Sequence, residues 1–269
     1  MTCVVSWLLN LPLRRLASWF PGFLLQPEPT VASPGRLRSY RGVRIEDYRH
    51  VIWDWNGTLL DDLELCLDAM NGMLARRGLP AIDRARYHAA FDFPVRDYYG
   101  RLGLPIDDTN FHVLSVEFIE AYEARRLEPL LQPGAAELLA AIAGRGLTQS
   151  ILSAYHRESL RVVVGHHGII GHFSELHGLD NIYAQSKVAL GRAFLATLGV
   201  PPREVLLIGD TLHDLAVAQE LGADCVLVAH GHHPAERLRA ATERVFPDLQ
   251  ALAADTATPA RPGAARPRA

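Results

Sequence analysis

The sequence predicts an α/β fold: a parallel sheet core with helices on both faces, plus an inserted all-helical cap. Three observations carry this. Apolar, strand-like runs alternate with helix-patterned segments from residue 147 to residue 240, which is the mark of βαβ units and a parallel sheet. A further strand-like run, 51–55, precedes them and ends at a carboxylate, Asp54. Between these regions, residues 61–133 show helical spacing and no strand pattern.

Taken in order, 51–55 is the first strand, followed by Asn56, Gly57 and Thr58. Residues 60–77 place Leu63, Leu67, Met70 and Leu74 at intervals of four, three and four, one face of a helix, and Gly78-Leu79-Pro80 stops it. Helical segments at 84–91, 95–102 and 109–127 follow, separated by Phe93-Pro94 and Gly103-Leu104-Pro105. After Gln132-Pro133-Gly134 come a helix at 135–143, a strand at 147–153 and a helix at 156–167. A weaker strand at 174–178 leads to a helix at 186–198, which ends at Gly199 and Pro201-Pro202. The alternation closes with a strand at 205–209, a helix at 212–221, a strand at 225–229 and a helix at 234–240. The domain reading is therefore an extension at 1–45, an α/β core from 46–60 and 134–255, a helical cap at 61–133, and a disordered Ala/Pro/Arg-rich tail at 256–269.

Composition sets the class. A chain of 269 residues with 49% hydrophobic and 21% charged residues supports a sizeable globular core. The net charge of −3 argues against a nucleic-acid partner. Six Arg face one Glu in 1–45, and three Arg face no acid in 256–269, so the body between them is acidic and suits a divalent cation. Three cysteines, Cys3, Cys66 and Cys225, lie far apart with no CxxC pair, as expected of reduced thiols in a cytoplasmic protein. The apolar stretch in 1–25 is broken by Arg14 and Arg15, too interrupted for a spanning helix, and it lacks the pattern of a secretory signal. It reads as a helix making weak contact with a membrane surface, as a packing arm, or as upstream sequence from a wrongly chosen start codon.

Polar residues gather at the ends of four predicted strands. Asp54 ends the first and Ser153 the second; Lys187 opens the helix after the third; Gly209-Asp210-Thr211-Leu212-His213-Asp214 follows the fourth. Open α/β sheets bind ligands at that edge. Lys187 is the sole lysine of the chain beside 26 arginines, a composition that singles it out. In this order the set resembles the haloacid dehalogenase superfamily. Residues 54–59 match the opening motif of that family, and 61–133 sit where members with a helical cap carry it. The resemblance implies a Rossmann-like core and a phosphatase acting on a small phosphorylated metabolite, with a layout similar to phosphoglycolate phosphatases.

The resemblance also implies roles. Asp54 attacks phosphorus to form an aspartyl-phosphate. Mg²⁺ is held by the carboxylates of Asp54 and Asp210 and the main-chain carbonyl of Asn56, with Asp214 holding a metal-bound water or orienting Lys187. Ser153 and Thr58 offer hydroxyls to the phosphoryl oxygens, and Lys187 offers a positive charge. In the cap, Arg96 is a candidate partner for a substrate carboxylate. His230, His232 and His233 do not form a convincing zinc set and are expected outside the phosphoryl site. Asn56 departs from the pattern: relatives with phosphatase activity carry Asp there as general acid and base, and an amide does neither. Either a histidine, His213 or His156, moves the proton instead, or deamidation of Asn56-Gly57 restores an acid. Two rival readings follow: a slow, catalytically impaired protein that binds a phosphate ligand, and a membrane-peripheral interaction protein using residues 1–25.

Overall fold

A computed structural model describes residues 43–181 and 187–257. Residues 1–42, with the membrane-contact reading, and 258–269 lie outside the described residues; Thr256 and Ala257, expected in the disordered tail, instead close a helix, Leu249–Ala257. Six parallel strands form one sheet in the order β3-β2-β1-β4-β5-β6. They are β1 (His50–Trp53), β2 (Thr148–His156), β3 (Glu175–Leu179), β4 (Val205–Gly209), β5 (Asp224–Val228) and β6 (Val245–Phe246). β1 is central: His50 to Trp53 pair with Thr148 to Ile151 of β2 on one side and Val205 to Ile208 of β4 on the other. Every residue of β1 and β4 is buried, as a parallel strand covered on both faces requires.

Alternation along the strands sends side chains to two cores. Val51, Trp53, Leu206 and Ile208 join one cluster with α5 (Ala135–Gly144), α6 (Arg157–His166) and α10 (Leu249–Ala257). Ile52, Val205 and Leu207 join the other, with α7 (Val188–Leu198), α8 (Leu212–Leu221) and α9 (Ala235–Ala241). The helices on both faces expected from sequence are present. Between β1 and α5 the chain forms four helices: α1 (Leu63–Ala75), α2 (Arg84–Ala90), α3 (Val95–Arg101) and α4 (Asp108–Glu123). α1 and α4 pack together, and Met70, Met73, Tyr98 and Leu114 continue the first cluster into this insert.

Three boundaries differ from the sequence reading. The core starts before residue 46: Val43 and Ile45 are buried, and the Val43 amide donates to Asp255 Oδ2 at 2.6 Å. β2 runs past Ser153 to His156, because a register irregularity against β3 between Leu152 and His156 lets the strand continue. β6 and α10 were not expected; a two-residue strand and an Ala-rich helix carry too little periodicity to read.

His50 locks β1 to β2. Its Nδ1 lies 2.7 Å from Thr148 Oγ1 and its Nε2 2.9 Å from Ser150 Oγ. Burial, aided by His177, pulls its pKa down to about 4, so it is neutral in the fold. The unfolded chain takes up this proton near pH 6.5, so stability falls as pH drops from 6.5 through 4. In urea unfolding between pH 7 and pH 4, the native protein should lose about 3 kcal/mol more than a His50→Gln variant, which keeps the polar contacts but does not titrate.

Candidate active site

The carboxyl ends of β1, β2 and β4 converge on Lys187. Asp54 follows β1 and remains tied to the sheet through its amide, which donates to Ile208 O at 2.9 Å. The Lys187 ammonium donates to Asp54 Oδ1 at 2.5 Å and to Leu152 O at 2.9 Å, and it pairs with Asp214 Oδ1 at 2.7 Å. Lys187 is only 1% exposed. It also stands at the N-cap of α7, where a helix dipole disfavours a cation. The two carboxylates override both costs and raise its pKa, so it is charged.

Asp214 is fixed by the start of α8. Thr211 caps that helix, and the Thr211 amide and hydroxyl both donate to Asp214 Oδ2, at 3.0 and 2.7 Å. Burial works against its charge, but Lys187 and Thr211 hold Asp214 below its usual range. Both Asp214 oxygens are thus engaged, one by Lys187 and one by Thr211. Asp210, at the end of β4, accepts from Thr58 Oγ1 at 2.8 Å and from the His232 amide at 2.7 Å. Two glycines let the loops close over it: a Cβ on Gly57 (φ +74°) would meet His232 Cδ2 at 2.6 Å, and one on Gly231 would meet Gly57 O at 2.6 Å.

Three buried carboxylates, Asp54, Asp210 and Asp214, have oxygens within 4.8 Å of one another and face one ammonium. Burial pushes Asp54 up to about 8; Asp214 and Asp210 add to this and Lys187 opposes it. Burial also pushes Asp210 up to about 6. That excess of negative charge, on oxygen donors alone, fits a hard divalent cation such as Mg²⁺.

Of the residues named from sequence, Asp54, Asn56, Ser153, Lys187, His213, Asp214 and His156 line one cavity. The Ser153 hydroxyl accepts from the Tyr155 amide at 3.1 Å. His213 stacks on Phe93 with centroids 4.5 Å apart, and burial, with Lys187, lowers its pKa. Two expectations need correction. Thr58 is fully buried behind the site and turns its hydroxyl to Asp210, so it orients a carboxylate instead of meeting a phosphoryl oxygen. Arg96 is not in the cavity wall: its guanidinium lies over Phe111 at 4.6 Å and pairs with Asp108 at 2.8 Å, an ion pair that sequence separation concealed.

Sequence reasoning missed a cluster behind Asn56. The Asn56 amide donates to Asp62 Oδ2 and reaches Tyr122 Oη, each at 2.8 Å. Asp62 also accepts from the Gly57 amide at 2.8 Å and pairs with His232 Nε2 at 3.4 Å, while His232 Nδ1 lies 2.9 Å from Tyr87 Oη. Burial opposes the charge on His232, but Asp62 raises its pKa to about 9. His232 also lies in the cavity wall. The available signal was the acidic pair Asp61-Asp62 directly after the strand–turn motif.

Fold and site together define an open α/β protein whose strand ends carry a carboxylate–lysine–carboxylate cluster ready for a cation. Residues 51–228 match the haloacid dehalogenase-like hydrolase family, and the chain belongs to it. It is 26% identical over 203 residues to Probable phosphatase IndB of Dickeya dadantii, covering 74% of this chain and 88% of that protein. It is 28% identical over 213 residues to a phosphoglycolate phosphatase of Rhodospirillum rubrum, covering 75% and 88%. The crystal structure of a predicted phosphatase from Clostridium acetobutylicum superposes with a TM-score of 0.68 at 17% identity, over 77% of this chain and 97% of that one, a likeness of fold.

Replacing Lys187 by Met should cost about 3–5 kcal/mol at pH 8, because it leaves two buried carboxylates without their cation. Urea unfolding should show a smaller loss at pH 5, where those carboxylates take up protons.

Proposed function

We propose that the protein is a Mg²⁺-dependent phosphomonoesterase that works through an aspartyl-phosphate on Asp54. The observation that carries this reading is the bridge from Lys187 to both Asp54 and Asp214 at the mouth of the parallel sheet. One Asp54 oxygen attacks phosphorus, the ester P–O bond breaks, and the leaving alkoxide takes up a proton from solvent water. Water then attacks the same phosphorus, the bond to Asp54 breaks, and inorganic phosphate leaves. Lys187 and the Ser153 hydroxyl neutralise charge on the transferring group. Asp54, Asp210 and the main-chain carbonyl of Asn56 would hold Mg²⁺, which would offset the repulsion between two anions and keep Asp54 ionised. His213, neutral and in the cavity wall, accepts the proton of the attacking water. The helical segment 61–133 acts as a cap that covers the site and selects a small phosphorylated metabolite.

A second reading, slow turnover with retained phosphate binding, is favoured by one contact: the Asn56 amide is bound to Asp62 and Tyr122 and moves no proton. Phosphate release from a panel of small phosphomonoesters separates the two. The native protein should release phosphate with Mg²⁺, lose release with EDTA, and lose it as Asp54→Asn. The exchange Asn56→Asp with Asp62→Asn keeps an amide–carboxylate pair while moving the acid toward Asp54. It should raise kcat by about 10²–10⁴-fold. An inert native protein beside an active exchange variant would establish the binding reading.

A further inference from the structure

Beyond the phosphoryl site the cavity is aromatic. Tyr87, Phe91, Phe93, Tyr98, Phe118 and Tyr122 line it from the insert helices and the turns between them, and Tyr155 faces them from β2. The rings form a continuous wall: Phe91 stacks on Tyr87 at 5.1 Å, meets Tyr98 edge-on at 5.3 Å and Phe93 edge-on at 5.7 Å. Their hydroxyls are largely used elsewhere. Tyr87 Oη is held by His232, Tyr122 Oη donates to Asp62, and Tyr155 Oη donates to Glu123. What these rings offer to a ligand is therefore face and edge, with the buried Tyr98 hydroxyl as the one named here that has no hydrogen-bond partner among the described residues.

The charged groups lining the cavity, Asp54, Asp62, Asp214, Lys187 and His232, are paired with one another. Among the described residues lining the cavity, Lys187 is the only Lys or Arg, and Asp54, Asp214 and Leu152 O occupy its three N–H donors. The nearest cationic candidate from sequence, Arg96, is spent on Asp108 and Phe111. The other cation of the wall, His232, has its ring nitrogens engaged by Asp62 and Tyr87, so a carboxylate or second phosphate on the substrate would be buried there without a free cationic partner.

From this wall we infer that the substrate is a phosphomonoester whose leaving alcohol carries an uncharged aromatic ring system, held by stacking between the insert helices and β2. The inference rests on the phosphomonoesterase reading for the headgroup and adds the body. Rings that meet edge-on and stacked partners favour a flat aromatic guest over an alkyl chain, since offset and T-shaped contacts reward a π face beyond its area. An aryl phosphate and a nucleoside 5′-monophosphate share this chemistry.

The test compares kcat/KM with Mg²⁺ for 1-naphthyl phosphate, 5′-UMP, octyl phosphate and 2-phosphoglycolate. At least one of the two aromatic esters should exceed 2-phosphoglycolate by about 10²-fold, and which one leads tells an aryl from a nucleoside source. Val95→Arg places a guanidinium on a half-buried wall position at the start of α3 and should lower that ratio by about tenfold or more. Preference for 2-phosphoglycolate or octyl phosphate would overturn the inference. Calorimetric titration of the Asp54→Asn protein with 1-naphthyl phosphate, 5′-UMP and 2-phosphoglycolate separates the two claims. Tighter binding of an aromatic ester by a protein whose native form releases no phosphate would remove the hydrolase reading and keep the pocket inference. Equal or tighter binding of 2-phosphoglycolate would remove the pocket inference alone.

Discussion

The Lys187 ammonium, enclosed by three oxygens, is the contact on which the site depends. A tetrahedral ammonium has three donors, and here it has three acceptors: Asp54 Oδ1, Asp214 Oδ1 and the Leu152 carbonyl. These belong to the residue after β1, the first turn of α8 and the middle of β2. One side chain therefore sets the spacing of three elements far apart in sequence. A planar guanidinium fork has no comparable fit to a compact, 1%-exposed slot with acceptors on three sides. That accounts for the single lysine in a chain whose other 26 basic residues are Arg.

Around this contact, polar residues are arranged so that every carboxylate is held by a neighbour. Thr211 turns Asp214 toward Lys187, and Thr58 and the His232 amide hold Asp210. The glycines at 57 and 231 are needed because these groups approach closer than any Cβ allows. The cluster still carries more negative than positive charge, and in a buried site that imbalance is costly unless a cation or protons relieve it. The raised pKa values of Asp54 and Asp210 express that cost. A divalent cation would relieve it while leaving Asp54 ionised.

The strands, most helices and the residues at strand ends were legible because each is a local signal. An apolar run ending in Asp54-Trp55-Asn56-Gly57-Thr58 states both a strand and its exit turn, and Gly209-Asp210-Thr211 does the same for β4. What was not legible is what tertiary packing decides. Arg96 and Asp108 meet across a helix junction, so the charge expected to face a substrate is already neutralised. Tyr87, on α2, meets His232, which follows β5, although 145 positions separate them, so no spacing rule points to the pair. Asp62 reads as an ordinary residue ahead of α1, and only the fold shows it facing Asn56.

That last pair changes how Asn56 is understood. Asp62 is fully buried and accepts from Gly57 N, Asn56 Nδ2 and Tyr122 Oη, with His232 alongside. A carboxylate at position 56 would lie at hydrogen-bond distance from it. Two acids that close share a proton, with one pKa driven up, and neither then behaves as an isolated acid–base group. An amide avoids that conflict, since it donates where a carboxylate would repel. Asn56 and Asp62 are thus coupled: the amide at 56 is the partner that the buried acid at 62 requires. The proton chemistry of the site is consequently a property of the pair and of His232 beside it, and replacing Asn56 alone would introduce a second acid into a place built for one.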